Sequence, residues 1–197
     1  ALANNTTADN NTAVGKNAGL LVTTGVQNTF VGSLAGDATD DGTNNVAVGF
    51  EALSANCGSG NTVLGTRAGK VTTADNNTLV GLNAGTGLLG GAGNTLIGSS
   101  SGDAITIGDS NVQLGYLTEA SAVDVDAEFV IGAGVAGSGG STITIGSGAG
   151  KISNTFTSNA TWAQSSDSRL KTNIQADTLG LSFINRLNPV TYKWKPS

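Results

Sequence analysis

The stretch Asn77-Thr78-Leu79-Val80-Gly81 decides the fold of this chain, because its pattern recurs along most of the sequence. The pattern is an Asn, two variable residues, an aliphatic residue and a Gly. Copies follow one another at intervals of 16 or 17 residues, and they begin at Asn11, Asn28, Asn45, Asn61, Asn77, Asn94 and Asn111. A fixed period indicates a repeat architecture in which each copy stacks on the next.

The apolar part of each copy reads as a short β-strand. It is rich in Val, Ile, Leu and Thr and is bounded by Gly, Asn, Asp and Ser. A period of 16 or 17 residues is too short for a helical hairpin, and each Gly would cost a helix about 1 kcal/mol. Degenerate copies follow at Phe129-Val130-Ile131-Gly132 and at residues 142–146. The sequence therefore predicts an all-β fold over residues 1–150, a parallel β-solenoid with one repeat per coil.

Two positions in each repeat predict its turns and its polar contacts. The Gly after each strand suits a corner, where a positive φ or a close backbone approach is needed. The recurring Asn predicts a stacked amide ladder, in which each side chain binds its neighbour or a turn amide.

Alternation with a period of two residues places two apolar columns on opposite faces of the strands. One column contains Val14, Val31, Val48, Leu64, Val80, Ile97 and Leu114, and the other contains Ala13, Phe30, Ala47, Val63, Leu79, Leu96 and Gln113. We expect one column inside the coil and the other, through Phe30, Val63, Leu79 and Leu96, against another chain. The pattern thus predicts a homo-oligomer, and the alternative is a monomeric solenoid with a patchy apolar face.

The composition limits the possible classes of protein. Aromatic residues make up 5% of the chain and charged residues 12%, which is too few large side chains for one deep core. No run of about 18 apolar residues occurs, so no membrane-spanning helix is predicted. The net charge of −5 disfavours nucleic acid as a partner. The single Cys57 is expected to be a small buried side chain.

Residues 116–128 interrupt the glycine pattern and concentrate acidic side chains, namely Glu119, Asp124, Asp126 and Glu128. Such a cluster can hold a hard cation through oxygen ligands, but the spacing is not that of a calcium loop. We interpret the segment as a solvated surface insertion and predict no metal site and no cofactor.

The composition changes after residue 160. The body before it holds 4 basic and 12 acidic residues, whereas the remainder holds 5 basic and 2 acidic residues and both prolines. Residues 151–165 are predicted to be a neck. Behind it, Asp177 can cap a short helix that ends before Pro189, and alternation from Val190 to Trp194 indicates a strand. This small α+β tail is too small to be stable alone.

The block Ser165-Ser166-Asp167-Ser168-Arg169-Leu170-Lys171-Thr172-Asn173-Ile174, followed by the segment from Leu187 to Lys195, resembles a known family. It is similar to the C-terminal intramolecular chaperone of endosialidase-type phage tailspikes and tail fibres. The resemblance implies that residues 166–197 begin a domain that assembles the preceding fibre into a trimer and then cuts itself off. That domain normally continues beyond the Tyr-x-Trp segment, so the natural chain is expected to be longer.

The resemblance also implies a self-cleavage dyad of Ser166 and Lys171, with the cut between Ser166 and Asp167. The sequence contains no His, which excludes a Ser-His-Asp triad within these residues. A Lys can activate a Ser only when burial or nearby positive charge lowers the pKa of its amine well below about 10.4. No activity on an external substrate is predicted.

The leading hypothesis is a structural and adhesive segment of a viral tail fibre, located in the virion. Its expected partners are two further copies of the chain and a host cell-surface receptor or glycan. A bacterial trimeric autotransporter-type adhesin head is the alternative, since its repeats are similar. A third possibility is an ice-binding solenoid with a threonine ladder of Thr12, Thr29, Thr62, Thr78 and Thr95, which Val46 and Val112 interrupt. No pair of carboxylates in the body supports a polysaccharide-degrading enzyme.

Overall fold

The chain winds into a β-solenoid. The computed structural model describes residues 1–157 and 163–164, and it contains strands and turns but no helix in that part of the chain. The strands are β1 (Thr12–Val14), β2 (Thr29–Val31), β3 (Val46–Val48), β4 (Thr62–Leu64), β5 (Thr78–Val80), β6 (Thr95–Ile97), β7 (Val112–Leu114), β8 (Phe129–Ala133), β9 (Thr142–Ser147), β10 (Gly150–Thr155) and β11 (Ala163–Gln164). The all-β solenoid prediction is confirmed.

All eleven strands form one sheet, in which their order is the order of the sequence. The strands from β1 to β9 pair in parallel, and equivalent residues of successive repeats lie opposite each other, as Leu79 does to Leu96. Each repeat is therefore one coil, and we number the coils from the one that begins at Asn11. The last three strands, β9, β10 and β11, pair antiparallel and end the parallel stack.

Left-handed backbone at fixed positions turns each coil. Gly81 after β5 has a φ of +138°, and a Cβ there would overlap the carbonyl oxygen of Gly98 in the next coil. A second left-handed corner precedes every strand from β1 to β9, and it is occupied by Asn10, Gln27, Asn44, Gly60, Asn76, Gly93, Ser110, Ala127 and Ser141. Only four residue types besides Gly occupy this corner, and Asn, which tolerates the conformation best, recurs there.

The core lies inside the coils of a single chain. The second residues of strands β2 to β8 have no exposed surface, and they are Phe30, Ala47, Val63, Leu79, Leu96, Gln113 and Val130. The return segments cover them with an alanine column and with larger residues such as Val22, Leu88 and Ile105. Cys57 is buried in this core as predicted, with its Sγ atom 3.1 Å from Thr39 Oγ1, and burial raises the pKa of its thiol to about 11.

The expected assignment of the two apolar columns was wrong. The column through Phe30, Val63, Leu79 and Leu96 faces the interior, because the return segment of each coil folds over it. The opposite column is the one that a single chain leaves uncovered. Acidic substitutions at Leu79 and Leu96 would therefore test the stability of the fold and not the assembly of copies.

The interpretation of residues 116–128 as an insertion was also wrong. This segment is the return of coil seven, and it keeps the period because Glu128 follows Asn111 by 17 residues. Backbone bonds join it to both neighbouring coils: Gly102 N–H donates to the Thr118 carbonyl, and Glu119 N–H donates to the Val135 carbonyl. Residues 116–128 lack the glycines of the other return segments, yet the backbone follows the same path.

The chain divides into two units, residues 1–165 and residues 166–197. The described part of the first unit ends with β10 and β11, which lie in the predicted neck, and the ring of Phe156 meets that of Phe129 edge to face at 5.8 Å. The predicted helix after Asp177 and the strand from Val190 to Trp194 lie outside the described residues. No helix in the described part of the chain is long and apolar enough to cross a membrane.

Candidate assembly face and processing site

The repeated asparagines form one hydrogen-bonded stack at the start of the strands. The Oδ1 atom of each accepts the backbone N–H of the residue one coil further on, at 2.8 or 2.9 Å; the acceptors are Asn11, Asn28, Asn45, Asn61, Asn77, Asn94 and Asn111. Each Nδ2 also donates to a carbonyl in the return segment of its own coil, as Asn94 does to Gly108 at 2.9 Å. This asparagine ladder thus links successive coils and braces each coil across its width.

Glu128 is an eighth member of the ladder that the sequence reasoning missed. Its N–H donates to Asn111 Oδ1 at 2.9 Å, and the residue is fully buried. Its carboxylate accepts the N–H groups of Ser121 and Gly139, at 2.9 and 2.7 Å, instead of bonding a following Asn. The 17-residue spacing from Asn111 and the following Phe129-Val130-Ile131-Gly132 motif were the signals that could have revealed it.

The outer face of the sheet is formed by the first and third residues of each strand. The first residues of β1 to β8 are Thr12, Thr29, Val46, Thr62, Thr78, Thr95, Val112 and Phe129, and the third residues are Val14, Val31, Val48, Leu64, Val80, Ile97, Leu114 and Ile131. None of these sixteen residues is charged. The third-residue column stays partly exposed, with Val14 at 59%, Leu64 at 49% and Ile97 at 40%.

This outer face is a long and regular surface. Eight strands about 4.8 Å apart give it a length of about 34 Å. Its apolar column is continuous along that length, and the neighbouring column supplies threonine hydroxyls, which Val46 and Val112 interrupt as the sequence indicated. A contiguous apolar stripe of this kind is unusual on a monomeric soluble protein and indicates an interaction surface.

The acidic residues of coil seven are not brought together as a ligand set. Asp126 Oδ1 accepts the N–H of Asp109 at 2.7 Å, whereas Glu128 is buried in the ladder and Asp124 is exposed. Among residues 1–157 and 163–164, no group of three or more His, Cys, Asp or Glu side chains could hold a metal ion.

The predicted processing residues Ser166, Asp167 and Lys171 lie outside the described residues, so their roles stay predictions. A family model described as the chaperone of endosialidase matches residues 166–197. This chain is therefore a β-solenoid followed by a segment similar to that chaperone. A search of curated proteins and a search of solved structures gave no significant match.

Proposed function

We propose that this chain is a structural and adhesive segment of a bacteriophage tail fibre. Residues 1–165 would form part of the fibre body in the virion, and the segment from Ser166 would direct assembly of a parallel homotrimer. The partner outside the fibre would be a receptor or glycan on the host cell surface. The match of residues 166–197 to the chaperone of endosialidase supports the assembly role.

The uncharged outer face is the observation that carries the proposal. Its exposed aliphatic side chains, such as Val14, Leu64 and Ile97, would lose their contact with water if another copy covered them. Each Å² of apolar surface removed from water contributes about 25 cal/mol, so a stripe along eight strands can hold copies together. Parallel sheets usually have both faces covered, and one chain covers only the inner face of this one.

A further copy of the same chain suits this face better than an unrelated partner. The apolar column repeats in register from coil to coil, so a parallel copy presents the same column at the same heights. Three copies placed around one axis would bury the column of each chain symmetrically. The threonine column beside it would lie toward the rim of each contact.

Release of the assembly segment would follow from chemistry at the boundary of the two units. In this proposal the Ser166 Oγ attacks the carbonyl carbon of the peptide bond between Ser166 and Asp167, and unprotonated Lys171 accepts the hydroxyl proton. Lys171 returns that proton to the Asp167 nitrogen as the C–N bond breaks, and water then hydrolyses the resulting ester. The chain would act on itself alone, without metal or cofactor.

A bacterial trimeric adhesin head would use the same outer face, and the repeats favour it equally. The two functions differ after the solenoid, because an adhesin head continues into a coiled-coil stalk and a membrane anchor. The match that begins at Ser166 favours the fibre.

Native mass spectrometry on the full-length chain would test the proposal. We expect a trimer, and we expect the double variant Leu64→Asp with Ile97→Asp to be a folded monomer, because charges would then lie on the outer face. The matched control is Leu89→Asp with Ile107→Asp, which changes two aliphatic residues outside the strands that are at least as exposed, at 50% and 58%. A monomeric wild-type protein, or dissociation by the control pair as well, would contradict the proposal.

A further inference from the structure

A single column of side chains lies where the chain turns away from the strands. Its residues come directly after the Gly that follows each strand, and from coil three to coil seven they are Phe50, Thr66, Leu82, Ser99 and Tyr116. We call this set the turn column. The carbonyl group of each member accepts a backbone N–H from the next coil, at 2.8 to 3.0 Å. Because the backbone is bonded from coil to coil, the side chains stand at fixed heights along the solenoid.

Large apolar side chains alternate with hydroxyl side chains along the turn column. Phe50, Leu82 and Tyr116 belong to coils three, five and seven, and they are 41%, 52% and 59% exposed. Thr66 and Ser99 belong to the coils between them. Since neighbouring coils are about 4.8 Å apart, an exposed apolar side chain recurs about every 9–10 Å, with a hydroxyl group midway.

The charge beside the turn column is balanced. No member of the column from coil two to coil eight is charged. Arg67 lies next to it, with its Cζ atom 6.0 Å from the centre of the Phe50 ring. The Nε atom of Arg67 donates to Glu51 Oε2 at 3.1 Å, so this cation is paired while it restrains the ring. A neutral partner therefore suits the column better than a strongly charged one.

A linear glycan with β1→4 linkages matches this arrangement. Successive sugar rings of such a chain are turned over relative to each other, so the same ring face recurs at every second sugar, at a length close to two coils. The C–H bonds of that face can pack on Phe50, Leu82 or Tyr116. The hydroxyl groups at the rim of the intervening sugars can bond to the Thr and Ser hydroxyls.

A protein partner fits the turn column less well. A stable protein interface buries about 800 Å² on each side. An aromatic side chain buries about 150–250 Å², so three side chains in a single line supply too little area.

We propose that the turn column binds an extended, neutral, β1→4-linked glycan that lies along the solenoid axis. Alternate sugars stack on Phe50, Leu82 and Tyr116, and the sugars between them bond to Thr66 and Ser99. This inference rests on the proposed adhesive role and names the chemical class of the receptor. The site is separate from the outer face, because its residues lie beyond the left-handed Gly that follows each strand.

Isothermal titration calorimetry of the full chain tests the inference. The probes are the β1→4-linked hexamers of glucose, N-acetylglucosamine and mannose, and we expect at least one of them to bind. The α1→4-linked hexamer of glucose has the same sugar but a coiled chain, so it should not bind.

Two double variants separate the stacking contacts from their spacing. Phe50→Ser with Tyr116→Ser should weaken binding about ten-fold or more, because it removes two stacking side chains. Leu82→Ser with Ser99→Leu keeps the composition of the column but breaks the two-coil spacing, and it should weaken binding as well. The matched control is Leu89→Ser with Val123→Ser, which changes side chains of similar exposure outside the column, at 50% and 52%. Circular dichroism should show all of these variants folded, and the control should bind as wild type does.

Three outcomes would overturn the inference. One is the absence of binding to all three β1→4-linked probes, and another is wild-type binding by Leu82→Ser with Ser99→Leu. The third is a trimer that dissociates in Phe50→Ser with Tyr116→Ser, which would assign the column to a contact between copies.

Native mass spectrometry of the same samples distinguishes this inference from the proposed function. A trimeric wild type that binds none of the probes would contradict the glycan site and leave the proposed assembly intact. A monomeric wild type that binds a β1→4-linked probe would support the glycan site and contradict the assembly.

Discussion

The Oδ1 atom of Asn77 accepts the backbone N–H of Asn94, one coil further along the solenoid, at 2.9 Å. The same oxygen lies 3.2 Å from Asn94 Nδ2, and Asn77 Nδ2 donates to the Gly91 carbonyl at 2.9 Å. Asn77 thus joins its own strand, its own return segment and the next coil. Because the side chain is fully buried, these contacts serve the fold and leave nothing for a ligand to bind.

Asn77→Ala should lower the stability of the solenoid. The substitution removes the partner of the buried Asn94 N–H, and a buried unsatisfied group costs about 1–3 kcal/mol. At about 2–4 °C per kcal/mol for a chain of this size, the melting temperature should fall by several degrees. Thr66→Ala is the control, because Thr66 is exposed and its loss should leave the melting temperature unchanged. Unchanged melting of Asn77→Ala with lost cell adhesion would assign the ladder to binding instead.

Gln113 is a polar residue in the apolar interior column. Both its Oε1 and Nε2 atoms are buried without a hydrogen-bond partner, between coils that place Leu96 and Val130 at the same position. Gln113→Leu should therefore stabilise the protein by about 1–3 kcal/mol, since it removes a desolvated amide. Urea unfolding measures the change. Leu79→Gln is the reciprocal variant and should destabilise the protein. If Gln113→Leu also lowers the stability, the Gln113 site favours an amide.

Gly81→Ala should disrupt the stack of coils more than Asn77→Ala or Leu79→Gln does. The corner requires a φ of +138°, and the new methyl group would meet backbone of the next coil, which cannot move aside as a side chain could. We expect a large loss of soluble, folded protein, measured by circular dichroism and melting. Gly150→Ala is the matched control, because a Cβ at Gly150 meets no atom within 4 Å. Equal melting of the two variants would contradict the steric argument.

The period of the Asn-x-x-aliphatic-Gly pattern was sufficient to predict the strands and their parallel stacking. Period-two alternation also separated the residues into two faces correctly, but it could not show which face lies inside. That choice depends on what the return segment covers. The return segments mix larger residues such as Leu88 with small or polar ones such as Ala84 and Thr72, so they give no regular apolar pattern.

The return segment of the seventh coil shows a second limit of sequence reasoning. Residues 116–128 contain no glycine between Gly115 and Gly132, so composition suggested an insertion. Backbone bonds to the neighbouring coils and the corner at Ala127, with φ of +53°, keep the usual path without glycine. Glu128 can take the place of Asn because its N–H donates to Asn111 in the same way, while its longer side chain reaches different partners.

Self-cleavage can be tested separately from assembly. The chain should split between Ser166 and Asp167 only after trimerisation, because residues 166–197 of one copy alone have too little core to desolvate Lys171 and lower the pKa of its amine. Intact-mass analysis without added protease measures the cut.

Ser166→Ala should abolish the cut by removing the nucleophile, and Lys171→Ala should abolish it by removing the base that accepts the hydroxyl proton. Both variants should still assemble, since neither residue belongs to the outer face or to the interior column. Ser168→Ala is the matched control, because it removes a neighbouring hydroxyl and should leave cleavage unchanged. Cleavage that persists in Ser166→Ala would rule out the dyad and leave the tail as an assembly element alone. Cleavage lost in Ser166→Ala but retained in Lys171→Ala would keep the nucleophile and require another base.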